Sequence, residues 1–305
     1  MKPTIHLIAT ALLYANCMTA CLAQAPERSI VARDVLPTTA DPTLKTDANA
    51  PNLILVPSGE LRRELVVFLP GTHGKPHDFM TLQKSIATGG YRVVSLMYND
   101  DSLERGVCGA QNDPRCSGAF RRERIFGNVP DAPVQNTKEE SIVSRLVNLL
   151  KYEAQANPKE GWEAYLSGDQ PNWPMIVIAG HSQGAGHAAY IAKYEPVARA
   201  VLFSGGPDAV GLQSGAPKLA SWVVESGSKT PPDRWWAEYH PKEPSGALLP
   251  AGYDALHIPK DHVFELTLEP PSTVKAPGKV AYHMTVVVDP RYLEQWQKMF
   301  GISGN

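Results

Sequence analysis

Apolar residues in this chain fall into short runs that alternate with segments of helical spacing. Residues 53–57 and 64–69 are rich in Leu, Ile and Val, are joined by the turn Ser58-Gly59, and predict two successive strands. A helix is expected over 76–87, ended by Gly89-Gly90, with a third strand over 91–96. Ile142, Leu146, Leu149 and Leu150 recur at helical spacing and predict a helix over 141–152. Met175-Ile176-Val177-Ile178-Ala179 reads as a strand buried on both faces of a parallel sheet. A helix over 185–194 and a strand over 199–203 follow. A weaker strand over 235–239, another over 262–268 and a terminal helix over 291–300, with Asp289 or Pro290 near its start, complete the series. Two segments lack periodicity. Residues 24–50, rich in Pro, Thr, Ala and Asp, predict a flexible N-terminal tether. Residues 100–137 predict a long irregular loop, which inside a compact domain is usually functional. The alternation of strand and helix predicts an α/β fold with a mainly parallel sheet, one domain over 51–305.

At the junction of the 175–179 strand and the next helix lies Gly180-His181-Ser182-Gln183-Gly184, a G-x-S-x-G match. A strand, a tight turn with Ser at its apex and a helix together form the context of a nucleophile elbow. The turn forces Ser182 into a sparsely allowed backbone conformation, and the helix N-terminus beneath it favours negative charge. A serine hydroxyl needs a base within hydrogen-bond reach and a carboxylate to orient that base, arranged along such a chain as Ser, then Asp or Glu, then His.

From about Leu53 to the C-terminus the sequence therefore resembles the α/β-hydrolase superfamily. It is most similar to a group of exported bacterial hydrolases that combine a PGT-type loop, a cysteine pair and a GHSQG elbow. The resemblance implies an α/β-hydrolase fold, a mainly parallel sheet with helices on both faces, and acyl transfer at Ser182. The base should follow the last strands. His283 is best placed, after a Pro- and Gly-containing loop and before the final helix, whereas His240, His257 and His262 lie earlier. For the acid two residues compete. Glu243 occupies the usual loop, where the similar group tends to carry Asp, and Asp208 follows the strand after the elbow. The oxyanion donors implied are the backbone N–H groups of Gln183 and of Thr72 in Pro70-Gly71-Thr72-His73-Gly74.

Composition narrows the partners. The 305 residues carry a formal net charge of -2 and a pI near 6.5, which gives no reason to expect nucleic acid. Lys2 followed by the mostly apolar Ile5–Met18 reads as a signal peptide over 1–23, cleaved before Gln24. Met18-Thr19-Ala20-Cys21 also resembles a loose lipobox, which would make Cys21 a lipid anchor on an outer-membrane lipoprotein. Otherwise the mature chain is expected to be secreted or periplasmic, with no transmembrane segment. In such a compartment Cys108 and Cys116 are most simply one disulfide. No H-E-x-x-H spacing and no dinucleotide fingerprint occur, so neither a metal nor a cofactor is expected.

Three features carry a second meaning. Arg121-Arg122-Glu123-Arg124, with Arg105 and Arg115, could face an anionic substrate or be a solvated face. Trp173, Trp235 and Trp236 could line a subsite or pack the core. His181 and His187 flank the nucleophile and are expected to point away from it. The function expected is an exported serine hydrolase acting on a small-molecule or polymer ester through an acyl-enzyme. An acyltransferase or peptidase with the same residues, or a non-catalytic binding protein on this scaffold, are the alternatives.

Overall fold

The structure, a computed structural model, describes residues 28–45, 48, 50–215 and 217–302. The expected signal peptide and Cys21 lie outside them. Eight strands make the central sheet: β1 Ile30–Val35, β2 Asn52–Pro57, β3 Leu65–Leu69, β4 Arg92–Ser95, β5 Ile176–His181, β6 Arg199–Phe203, β7 Trp235–Tyr239 and β8 Val263–Glu265. Their spatial order is β1-β2-β4-β3-β5-β6-β7-β8. The pairs β1–β2 and β2–β4 are antiparallel, and every pairing from β4 to β8 is parallel. This is the α/β-hydrolase fold, with the sheet's centre at β3, β5 and β6.

The strands are apolar at nearly every position because both faces of the sheet are covered. Helices α1 Met80–Thr88, α2 Glu104–Val107, α3 Cys116–Phe126, α4 Ile142–Ala156, α5 Gln183–Tyr194, α6 Lys279–Val288 and α7 Leu293–Met299 supply most of that cover. On one face Val67, Val94 and Ile178 pack with Leu146 and Leu150 of α4 and Ala188 and Ile191 of α5. On the other, Val66, Phe68, Val177 and Val201 pack with Leu82 and Ile86 of α1, Val286 of α6 and Trp296 of α7. Each such Val, Leu or Ile contributes roughly 1.5–3 kcal/mol by leaving water.

Two expectations are corrected. Residues 30–35 are not a loose tether but the edge strand β1, followed by a short helix over Pro37–Ala40. Its outer face stays exposed, so it carries no apolar alternation. What holds it is the ladder to β2 and Arg33, which binds Glu153 and Glu160 at 2.6 and 2.7 Å. Residues 100–137 are not an irregular loop, since they hold α2 and α3. The buried face of α3 includes Ser117, Arg121 and Arg124 at helical spacing. Charged residues on the inner face hide the pattern that hydrophobicity would reveal. Cys108 and Cys116, with Cα atoms 5.6 Å apart, are joined by a disulfide that brackets the α2–α3 turn.

Candidate active site

The carboxyl ends of β3, β5, β6 and β7 meet at one rim of the sheet, where ligands of open α/β sheets bind. Ser182 stands at the end of β5 with φ 55° and ψ -118°, a strained conformation for a residue with a side chain. The strain persists because the surroundings allow little else. The Ser182 N–H donates to Phe203 O at 2.9 Å, and a Cβ on Gly184 would stand 2.0 Å from Leu69 O. Only glycine lets α5 begin that close to β3. The first turn of α5 then lies beneath Ser182, with orphan N–H groups and the positive end of its dipole.

Three further segments converge on this point. His283 lies within α6, ahead of the terminal helix α7, and it lines the same cavity as Ser182. Its Nδ1 is 2.7 Å from Glu243 Oε2, a carboxylate with 0% side-chain exposure. A buried carboxylate accepts, so Nδ1 carries the hydrogen and Nε2 keeps its lone pair. Glu243 is held by the turn after β7, where its N–H donates to His240 O and its carbonyl accepts from Gly246 N–H. Asp208 is occupied elsewhere. It takes two hydrogen bonds from Arg121, at 2.7 and 3.0 Å, and one from Trp222 Nε1 at 2.9 Å. The two carboxylates left open by sequence thus face different partners.

The Pro70–Gly74 loop is a turn closed by Gly74 N–H to Gly71 O at 2.8 Å, with His73 at φ 59°. That bond does not use the Thr72 N–H. Gln183, the first residue of α5, has an N–H that no helical carbonyl can take. The Gln183 side chain serves a different purpose. Its Oε1 accepts from Glu104 N–H at 2.8 Å and ties α2 to the elbow.

Glu104 and Glu238 escaped the sequence reading, which named His181 and His187 only as neighbours of the nucleophile. His181 is directly beneath His283, with ring centres 4.5 Å apart. Its Nε2 donates to His283 O at 3.1 Å, and burial, then the neighbouring ring, keeps it well below the usual histidine range. His187 is buried between Tyr98 and Phe120 and held neutral by burial. Glu104 is buried beside Asp208, and Ser117 Oγ donates to its Oε1 at 2.5 Å. Burial, followed by the charge of Asp208, pushes the Glu104 carboxyl up to about 8. Glu238 on β7 is wholly buried, and neither carboxyl oxygen has a hydrogen-bond partner among the described residues. Burial drives it well above the carboxylate range; nearby Trp296 eases this, though its Nε1–H donates to Val286 O at 2.8 Å. The one available signal for Glu238 was a lone acid inside the strand Trp-Trp-Ala-Glu-Tyr.

The tryptophans pack the core, Trp235 at 1% exposure, with Trp236 stacked on His262 at 3.7 Å. Among the described residues no cluster of His, Cys, Asp and Glu has metal-site geometry, and no helix is long and apolar enough to cross a membrane.

No protein-family profile matches the chain, and no curated protein does. Among solved structures the chain is similar to an esterase from Thermogutta terrifontis with propionate bound, at 13% identity, TM-score 0.46, covering 90% of this chain and 96% of that one. An esterase from Pyrobaculum calidifontis matches at 14% identity, TM-score 0.44, covering 90% of this chain and 86% of that one. These values are too low to carry a function across, so the chemistry rests on this chain's own residues.

Proposed function

We propose that the chain is a serine hydrolase that cleaves a carboxylic ester through an acyl-enzyme intermediate. One observation carries the reading: a strained Ser182 shares a cavity with His283, whose Nδ1–H is held by the buried Glu243. In this reading Ser182 Oγ attacks the acyl carbonyl while His283 Nε2 takes its proton. Glu243 stabilises the imidazolium that forms and fixes the ring tautomer. The N–H groups of Gln183 and Thr72 bind the tetrahedral oxyanion, and the α5 N-terminus adds to that field. His283 then protonates the leaving alcohol, and the ester becomes an acyl-serine. Water attacks that acyl group with His283 as base, which releases the acid and restores Ser182.

The disulfide supports export, because such bonds persist in oxidising compartments. With the basic and apolar N-terminus it favours a secreted or periplasmic enzyme. The reading is tested by initial rates on short-chain alkyl esters. Wild-type protein should turn them over, and Ser182→Ala should lose at least about 10³-fold in kcat while keeping its circular dichroism. Equal rates from the two proteins would refute it.

A further inference from the structure

The cavity in front of Ser182 has a volume of about 120 Å³. Leu103, Leu219, Leu248 and Leu249 give it apolar walls, and charged groups from α2, α3 and the β6 loop also reach it. Most of those charges cancel. Arg121 and Asp208 form a doubly hydrogen-bonded pair with side-chain exposures of 4% and 5%. Glu104, beside them, keeps its proton at neutral pH under burial and the charge of Asp208. Behind His283, Glu243 is matched by the charge the imidazole gains during reaction. Arg105 is different. It stands exposed at the lip, its Nη1 donates to Ser245 Oγ at 3.1 Å, and among the described residues no carboxylate pairs with it. Its position is braced as well: α2 is anchored three residues later at Cys108, and Ser245 is two residues beyond Glu243. Of the arginines singled out in the sequence, Arg121 is spent on Asp208, while Arg105 lines the cavity with no carboxylate among the described residues paired to it.

Resting on the ester-hydrolase reading, we infer that the preferred substrate is an ester that also carries a carboxylate, which the Arg105 guanidinium binds at the cavity lip. A guanidinium takes a carboxylate through two parallel hydrogen bonds, and the Ser245 hydroxyl is a weak partner that such an anion displaces. The leucine walls accept the methylene spacer between carboxylate and ester. The carboxylate belongs to the acyl group in a dicarboxylic hemiester and to the leaving group in an ester of a hydroxy acid.

The test compares kcat/KM for ethyl hydrogen adipate with ethyl hexanoate, and for the butyrate ester of 4-hydroxybutanoate with butyl butyrate. Whichever pair shows the preference identifies the side that bears the anion. Wild-type protein should favour the anionic member of one pair by about tenfold at low salt, with the preference shrinking as salt is added. Arg105→Gln should lower that ratio to about one, chiefly through KM, and Arg105→Lys should restore part of it. Arg122→Gln, from the same run but away from this cavity, should keep the wild-type ratio. Calorimetry with adipate and its uncharged analogue adipamide reads the same site without turnover. Adipate should bind more tightly to wild type than to Arg105→Gln, and adipamide should not distinguish them. No preference in either pair, or a ratio unchanged by Arg105→Gln, overturns the inference. If no ester is cleaved the hydrolase reading fails, and the adipate comparison then decides whether the anion site stands.

Discussion

Glu243 and Asp208 are both buried carboxylates at the rim of the sheet, and their partners give them opposite roles. Glu243 faces the imidazole of His283, and in the proposed reaction its charge matters most when that ring gains a proton. Glu243→Gln should therefore fold normally and lose about 10²–10⁴-fold in kcat, measured on a soluble ester. Asp208 faces Arg121, and removing one member of a buried pair strands the other. Asp208→Asn should cost about 3–5 kcal/mol of stability, read by denaturant unfolding. If Asp208→Asn abolishes turnover at unchanged stability while Glu243→Gln is active, the roles are reversed. Glu238 is a residue the fold tolerates at a cost, because an orphaned carboxyl inside the sheet gives up water and gains no partner. Glu238→Met keeps the volume and should stabilise the protein by about 1 kcal/mol, a rise of about 1.5–2 °C in Tm.

Among the elements, α2 and α3 set the shape of the site. Glu104, Arg105 and Arg121 reach the cavity from them, and the disulfide closes the turn between them. Replacing both cysteines by serine should lower stability by about 2–3 kcal/mol if the chain-entropy account holds. It should also weaken any preference that depends on Arg105, a joint outcome that a brace remote from the site would not produce. This segment also marks where the sequence stopped being legible. The central strands and α4, α5 and α7 announce themselves through apolar runs or helical spacing. The inner face of α3 is instead polar: its arginines hydrogen-bond to Asp208, Gln183 O and Asn136 from elsewhere in the chain. Those partners are distant in sequence, so no local pattern reveals them. The elbow was legible because its constraints are local: an apolar strand, two glycines and a small-residue helix start. Glu243 and Asp208 both stayed open, Glu243 only slightly favoured, until the tertiary structure gave each a partner, and β1 stayed hidden because an edge strand buries one face at most.

The molecule as a whole keeps at least two carboxyl groups protonated above their ordinary range. Glu104 is raised from 4.5 to about 8, and complete burial holds Glu238 well above the ordinary carboxylate range. Above pH ~4.5 an unfolded chain releases these protons while the folded one keeps them. Folding then takes up protons, so stability from these groups is full below that pH and falls as pH rises toward and through about 8. Thermal unfolding should show Tm declining between about pH 5 and 8, with a shallower decline in Glu104→Gln. A flat profile in wild type would mean that neither carboxyl is held protonated.

The same architecture sets Ser182 at the centre of the sheet's carboxyl rim, and the proposed chemistry depends on that serine being activated rather than merely exposed. The most direct measurement is the intact mass of the folded protein after reaction with a fluorophosphonate, followed by peptide mapping. The account predicts one adduct, located on Ser182, formed by wild type and absent from Ser182→Ala. An adduct that persists in Ser182→Ala, or ester hydrolysis by a protein whose Ser182 stays unmodified, would contradict it.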